Sequence, residues 1–215
     1  MANVKKHWVP VLAPTIFKHE QLGESLVLET SSLQGRGITV NLMNLTGDMK
    51  RQNLSVSFRV TNVAEGKAHT RVTAIEMQPN SVKRLVRRGR SKIEDSFLVK
   101  LKHGQVARIK PLMITKNVAS NTGAAALRKK CREVMLPLAA ELSFETLVSD
   151  SVALKLQRHL RQELSKVFPL RSVDIRMLSL EARFAQDEDR EVEASGYLRA
   201  DEPAAMPVST EPRMF

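Results

Sequence analysis

At 215 residues the chain can form one generous domain or two small ones, each able to bury its own core. Apolar residues make up 42% of it but aromatics only 4%, so the core must be mainly aliphatic and little is left for broad aromatic stacking surfaces. A net charge of +11 points to polyanionic partners, and the single cysteine, Cys131, excludes an internal disulfide and a cysteine-based zinc cluster.

The charge is unevenly placed. From Met1 to Arg183 there are 31 Lys and Arg against 15 Asp and Glu; from Phe184 to Phe215 there are 3 against 8. The body is therefore more basic than the average, and an acidic segment follows it. No stretch approaches the roughly 20 apolar residues of a membrane span, and the first residues lack a signal-peptide core. The basic residues fall on predicted strands and loops, not on one amphipathic helix, so nucleic acid is expected ahead of a membrane surface.

In chain order, Lys5 to Phe17 carries Trp8, Pro10, Pro14 and Phe17 and is expected to be a short extended arm. Ile38 to Leu42 alternates and ends in the turn signal Thr46-Gly47-Asp48. Leu54, Val56, Phe58 and Val60 alternate with polar residues, which predicts a strand, and Glu65-Gly66-Lys67 returns it as a hairpin over His69 to Met77. Asn80 and Ser81 are candidate caps for a short helix from Val82 to Arg88. Ile93 to Leu101 and Val106 to Ile114 are two further strands around Lys102-His103-Gly104.

After a polar connection from Asn117 to Gly123, a helix is predicted over Ala124 to Leu142, with Pro137 kinking or ending it. Val152, Leu156, Leu160 and Leu164 recur at every fourth residue and predict a second helix. Val173, Ile175 and Met177 alternate as a final strand. The expected fold is α+β: a mainly antiparallel β-sheet or barrel followed by two α-helices and a final strand. The expected organisation is a globular body over 1–181 with a short N-terminal arm, and an acidic, disordered C-terminal tail over 182–215.

The strongest local feature is Lys83-Arg84-Leu85-Val86-Arg87-Arg88-Gly89-Arg90-Ser91-Lys92, six cations in ten residues. On a helix Lys83, Arg84, Arg87 and Arg88 share a broad face, with Leu85 and Val86 turned inward. Arginine suits phosphate because its planar guanidinium bonds two oxygens, whereas lysine acts as a point charge. The plainer reading is a solvated basic face. Weaker candidates are Arg128 and Lys129 on the Ala124 helix, and Lys102 and Arg108 on the late hairpin. Lys5, Lys6 and Trp8 could hold a phosphate and stack on its base, although core packing serves equally well for Trp8. These residues are the expected RNA-binding set.

No catalytic residue, metal ligand or cofactor site is expected. The five histidines lack metal-ligand spacing, Cys131 has no neighbouring histidine, and neither a glycine-rich phosphate loop nor a close carboxylate set is present.

Several segments together resemble a known family. They are Lys6-His7-Trp8 with Ala13-Pro14 and Phe17; Arg36 to Asp48, read as a strand ending in Leu45-Thr46-Gly47-Asp48; and Ser81 to Arg88. Ile93, His103-Gly104, Ala126-Leu127-Arg128-Lys129, Glu141-Leu142-Ser143-Phe144, Phe168-Pro169-Leu170 and Ile175-Arg176 follow in the same order. The family is a small-subunit ribosomal protein shared by archaea and eukaryotes, also called the S-three-A family, and the resemblance spans Lys5 to Glu181. It implies a cytoplasmic, architectural protein on the ribosomal platform, near the messenger RNA exit and the 3′ end of the ribosomal RNA. The implied partners are small-subunit ribosomal RNA and neighbouring platform proteins, with messenger RNA and initiation factors nearby, and no membrane. A free RNA-binding regulator or chaperone is the competing expectation from charge alone, and an RNA hydrolase is a third.

Overall fold

The structure, a computed structural model, describes residues 6–102 and 104–181. The tail expected over 182–215 lies outside the described residues, as do Lys5 and His103.

The expected N-terminal arm is part of a sheet. Strand β1 (His7–Leu12) pairs antiparallel with β2 (Gln21–Val27), a strand that no alternation in its sequence announced. Val9 and Val11 point inward, and a 3-10 turn over Thr15–Phe17 sets the Phe17 ring edge-on to Phe58, with centroids 5.7 Å apart.

Strand β3 (Gly37–Asn41) stops earlier than expected and gives way to a one-turn helix, α1 (Leu42–Thr46). The Asn41 side chain accepts the Met43 N–H at 2.9 Å, and Gly47 closes the turn at φ +68°, a conformation that favours glycine. Leu42 and Leu45 both bury at helical spacing, which the strand reading overlooked.

β4 (Leu54–Ala64) and β5 (Lys67–Met77) form the predicted hairpin, joined at Glu65 and Gly66, both with positive φ. Helix α2 (Pro79–Leu85) begins three residues before the expected start and ends three before Arg88. Pro79 at its first turn lacks the N–H that the helix would leave free there. The run from Ile93 to Leu101 is two strands, β6 (Lys92–Glu94) and β7 (Phe97–Lys100), both pairing with β8 (Val106–Thr115). Asp95 breaks them by accepting the Ser96 N–H on its own side chain at 2.9 Å.

Helix α3 (Asn121–Ala140) is capped by Ser120, whose oxygen accepts the Gly123 N–H at 3.2 Å, and continues three residues past Pro137. In place of one further helix there are two, α4 (Phe144–Val152) and α5 (Lys155–Leu164). Leu154, in the left-handed region at φ +61°, turns the chain between them. The every-fourth stripe is therefore split: Val152 closes α4, while Leu156, Leu160 and Leu164 bury on α5.

Strand β9 (Leu170–Leu180) runs antiparallel along β8 and meets β5 at Ala74–Glu76. The main strand path is β2-β1-β5-β9-β8-β6, with β4 on β5, β3 on β4 and β7 on β8. The sheet is mostly antiparallel and is not a closed barrel. Among the described residues β1 and β5 make its parallel contact, at Val11–Leu12.

Helices α3 to α5 cover one face, where Leu127, Cys131, Met135, Leu147 and Leu160 join Ile109, Met113 and Val173 in the main core. On the opposite face Val82 of α2 packs with Met77, Leu112 and Ile114, and Leu85 and Val86 lean on that cluster. Strand β8 is thus covered on both sides, which accounts for its nearly unbroken apolar run from Pro111 to Ile114. The same packing fixes the segment that carries the six cations.

Candidate nucleic-acid interface

The predicted helical face of cations does not form. Lys83 and Arg84 lie exposed on α2, but Val86 is extended, Arg87 follows outside the helix, and Arg88-Gly89 make a turn. Gly89 takes φ +78°. Val82, Leu85 and Val86 all pack into one apolar cluster, and the extended Val86 ends the helix there. Lys83, Arg84, Arg87 and Arg88 nevertheless remain exposed and close in sequence, and none makes an ion pair among the described residues. Such a strip has no internal countercharge and attracts phosphate.

Other members of the expected set are already engaged. Lys92 reaches Glu94 at 2.8 Å, Arg108 pairs with Glu181, and the half-buried Arg128 donates its Nε–H to the Glu94 carbonyl at 3.1 Å. Arg128 and Arg132 act as clamps between α3 and the β6–β7 break. Arg132 donates two hydrogen bonds to Asp95, each at 2.6 Å. Lys102 and Lys129 are exposed on separate elements and do not extend the strip. Lys6 is exposed and Trp8 is 63% exposed opposite Leu26 on the outer side of the β1–β2 hairpin, so Trp8 is not a core residue.

The acids in this region are held ionised. Burial pushes Glu94 up, but Lys92 and Arg176 together bring it below the ordinary range. The Arg132 hydrogen bonds hold Asp95 below its usual range against the opposing effect of burial, helped by the Ser96 N–H. A carboxylate whose folded pKa is depressed stabilises the fold above its unfolded value and loses that contribution as pH falls through the folded one. Asp95→Ala is expected to cost about 1 kcal/mol at pH 7, a screened bidentate pair at the surface. The gap from the parent should begin to narrow as pH falls below about 4, the free Asp value, and close only below the depressed folded value. Urea unfolding at pH 7 and at about pH 2 measures this; an equal gap at both would refute the assignment.

Cys131, buried in the main core, has its thiol pushed up to about 12 by burial, with the Asp95 charge adding to it and Arg132 opposing. It is a packing residue, since a thiol held protonated is no nucleophile. Among the described residues no group of three or more His, Cys, Asp or Glu is placed to hold a metal ion, and no helix is long and apolar enough to cross a membrane.

Arg90 was expected to extend the strip; it turns inward instead. It stands half-buried at a pocket also lined by Lys116, Arg161 and Arg171, three cations that the sequence did not mark. They come from the end of β8, from α5 and from the start of β9, so no local spacing relates them. Arg161 lies on the exposed side of the amphipathic helix α5.

Residues 3–183 match the model of the Ribosomal S3Ae family. Among similar proteins, the small ribosomal subunit protein eS1 of Halorubrum lacusprofundi is 34% identical over 179 residues, covering 83% of this chain and 83% of its own. That of Nanoarchaeum equitans is 30% identical over 179 residues, covering 83% of this chain and 90% of its own. That of Methanobrevibacter smithii is 29% identical over 171 residues, covering 80% and 89%.

Proposed function

The chain belongs to the ribosomal S3Ae family, and we propose that it is a structural protein of the small ribosomal subunit that binds ribosomal RNA. The observation that carries the RNA-binding half is the strip Lys83, Arg84, Arg87 and Arg88: four exposed cations without ion-pair partners among the described residues, seated on a packed apolar cluster. A rigid mount matters because ordering a loop on binding would cost part of the affinity. The resemblance further supports a place on the platform, near the messenger RNA exit, among neighbouring platform proteins. Messenger RNA and initiation factors would then be nearby, and the protein would act in the cytoplasm as part of the ribosome. Its role is architectural, not catalytic.

The exposed Trp8 and Leu26 on the outer hairpin face, beside Lys6, offer a base-stacking or protein contact at the opposite end of the strand path from β6. Sedimentation of cell extract tests the assignment. The chain is expected at one copy per particle in the small-subunit peak. Confinement to the light fractions would instead identify a free RNA-binding regulator or chaperone.

A further inference from the structure

Arg90, Lys116, Arg161 and Arg171 line one pocket of about 570 Å³, with Ser172 and Leu85 completing its wall. Lys116, Arg161 and Arg171 are exposed, so the pocket opens to solvent. None of the four cations makes an ion pair among the described residues. Asp174 is the acid whose charge reaches Arg161. It is half-buried, and its carboxyl sits above the usual range because burial outweighs the opposing effects of the Ser172 hydroxyl and the Arg161 charge.

A solvated basic face would leave each guanidinium in water. Here Nη1 of Arg90 is cut off from solvent and has no hydrogen-bond partner among the described residues. A buried donor on a charged group left unpaired is destabilising, which sets Arg90 apart from a solvated surface cation.

The walls are held in place before any ligand arrives. The fully buried Thr115 accepts the Ser91 N–H at 2.9 Å and donates its hydroxyl to the Asn117 carbonyl at 2.6 Å. Its own N–H goes to the Ser91 carbonyl at 3.1 Å, and Ser91 Oγ accepts the Ala119 N–H at 3.0 Å. This ties the residue after Arg90 to the residue before Lys116. The Lys116 N–H donates to the Pro169 carbonyl at 3.0 Å, which ties the same corner to the chain entering β9 at Arg171.

We propose that this pocket is a socket for one phosphodiester group of an RNA strand, formed by Arg90, Lys116, Arg161 and Arg171, with Leu85 against the neighbouring ribose. Convergent arginines suit a phosphate because each guanidinium presents a planar fork to two oxygens. The proposal rests on the RNA-binding reading but on different residues from the exposed strip.

The test uses the full chain and a labelled 12-nucleotide oligouridylate, with anisotropy measured from about 50 to 200 mM salt. Arg161→Gln/Arg171→Gln is compared with Arg59→Gln/Lys67→Gln, a charge-matched pair on the exposed β4–β5 hairpin. The pocket pair is expected to weaken binding about tenfold at low salt and to flatten the salt slope by roughly 0.7, one single-strand phosphate. The control pair should change both less. Equal effects of the two pairs would overturn the socket while leaving RNA binding intact; no binding by the parent chain would overturn the RNA reading itself. Inorganic phosphate is the second probe. Should it protect the parent chain against heating as strongly as the oligonucleotide does at equal concentration, the pocket is a free-anion site and the proposal fails.

Discussion

Changing Arg84, Arg87 and Arg88 together to Glu is expected to remove the chain from small subunits while leaving its fold intact. All three side chains are exposed and make no ion pair among the described residues, so their replacement breaks none. Surface changes of this kind stay within about 0.5 kcal/mol of the parent stability. Binding is another matter, because each lost phosphate contact removes a released counterion and each new carboxylate repels the backbone. Three lost contacts should flatten the salt slope by about 2 to 3 and lower affinity by at least 100-fold near physiological salt, as an order of magnitude. Sucrose-gradient sedimentation of the tagged variant beside the parent reads this directly, with circular dichroism as the fold control. Normal co-sedimentation would remove the strip from the RNA interface.

Leu160→Ala should give the largest loss of stability. Leu160 is fully buried in the main core, on the helix α5 stripe that packs with Leu156 and Leu164 toward β9. Truncation there loses transfer energy and leaves a cavity, together about 2 to 5 kcal/mol. Against a typical total of about 5 to 15 kcal/mol that is a large share, and the urea midpoint should fall accordingly with little change in slope. A shift under about 1 kcal/mol would mean that α5 is not a packed layer of the core. The variant also bears on function, because α5 carries Arg161 to the pocket: loosened packing should weaken the oligouridylate contact more than the stability loss alone explains.

Much of the fold could be read along the chain where one face of an element is buried and the other wet. The β4–β5 hairpin, β8, α3 and β9 show that contrast in their side-chain periods. Readings failed where a local hydrogen bond or a left-handed backbone residue overrode the period. Asn41 capped α1 at what looked like a continuing strand, Asp95 interrupted β6 and β7, and Leu154 in a left-handed conformation divided the expected second helix. Strand β2, with Gly23 and Glu24 inside it, has no clean alternation because much of it is exposed and it is ordered by pairing with β1.

The basic strip from Lys83 to Arg88 was legible as composition: closely spaced cations with no acid among them cannot neutralise one another locally. That, with the order of the segments shared with the family, determined from the sequence alone a basic α+β body suited to RNA. Which cations are free was decided only in three dimensions. Glu94, Asp95 and Glu181 neutralise Lys92, Arg132 and Arg108, the last two across long stretches of sequence, while Arg128 is tied to the Glu94 backbone carbonyl. Arg90, Lys116, Arg161 and Arg171 meet because β8, β9, α5 and the loop after α2 share one corner of the sheet. Charge is a local property of the chain, but its pairing depends on distance in space, and only packing sets that distance.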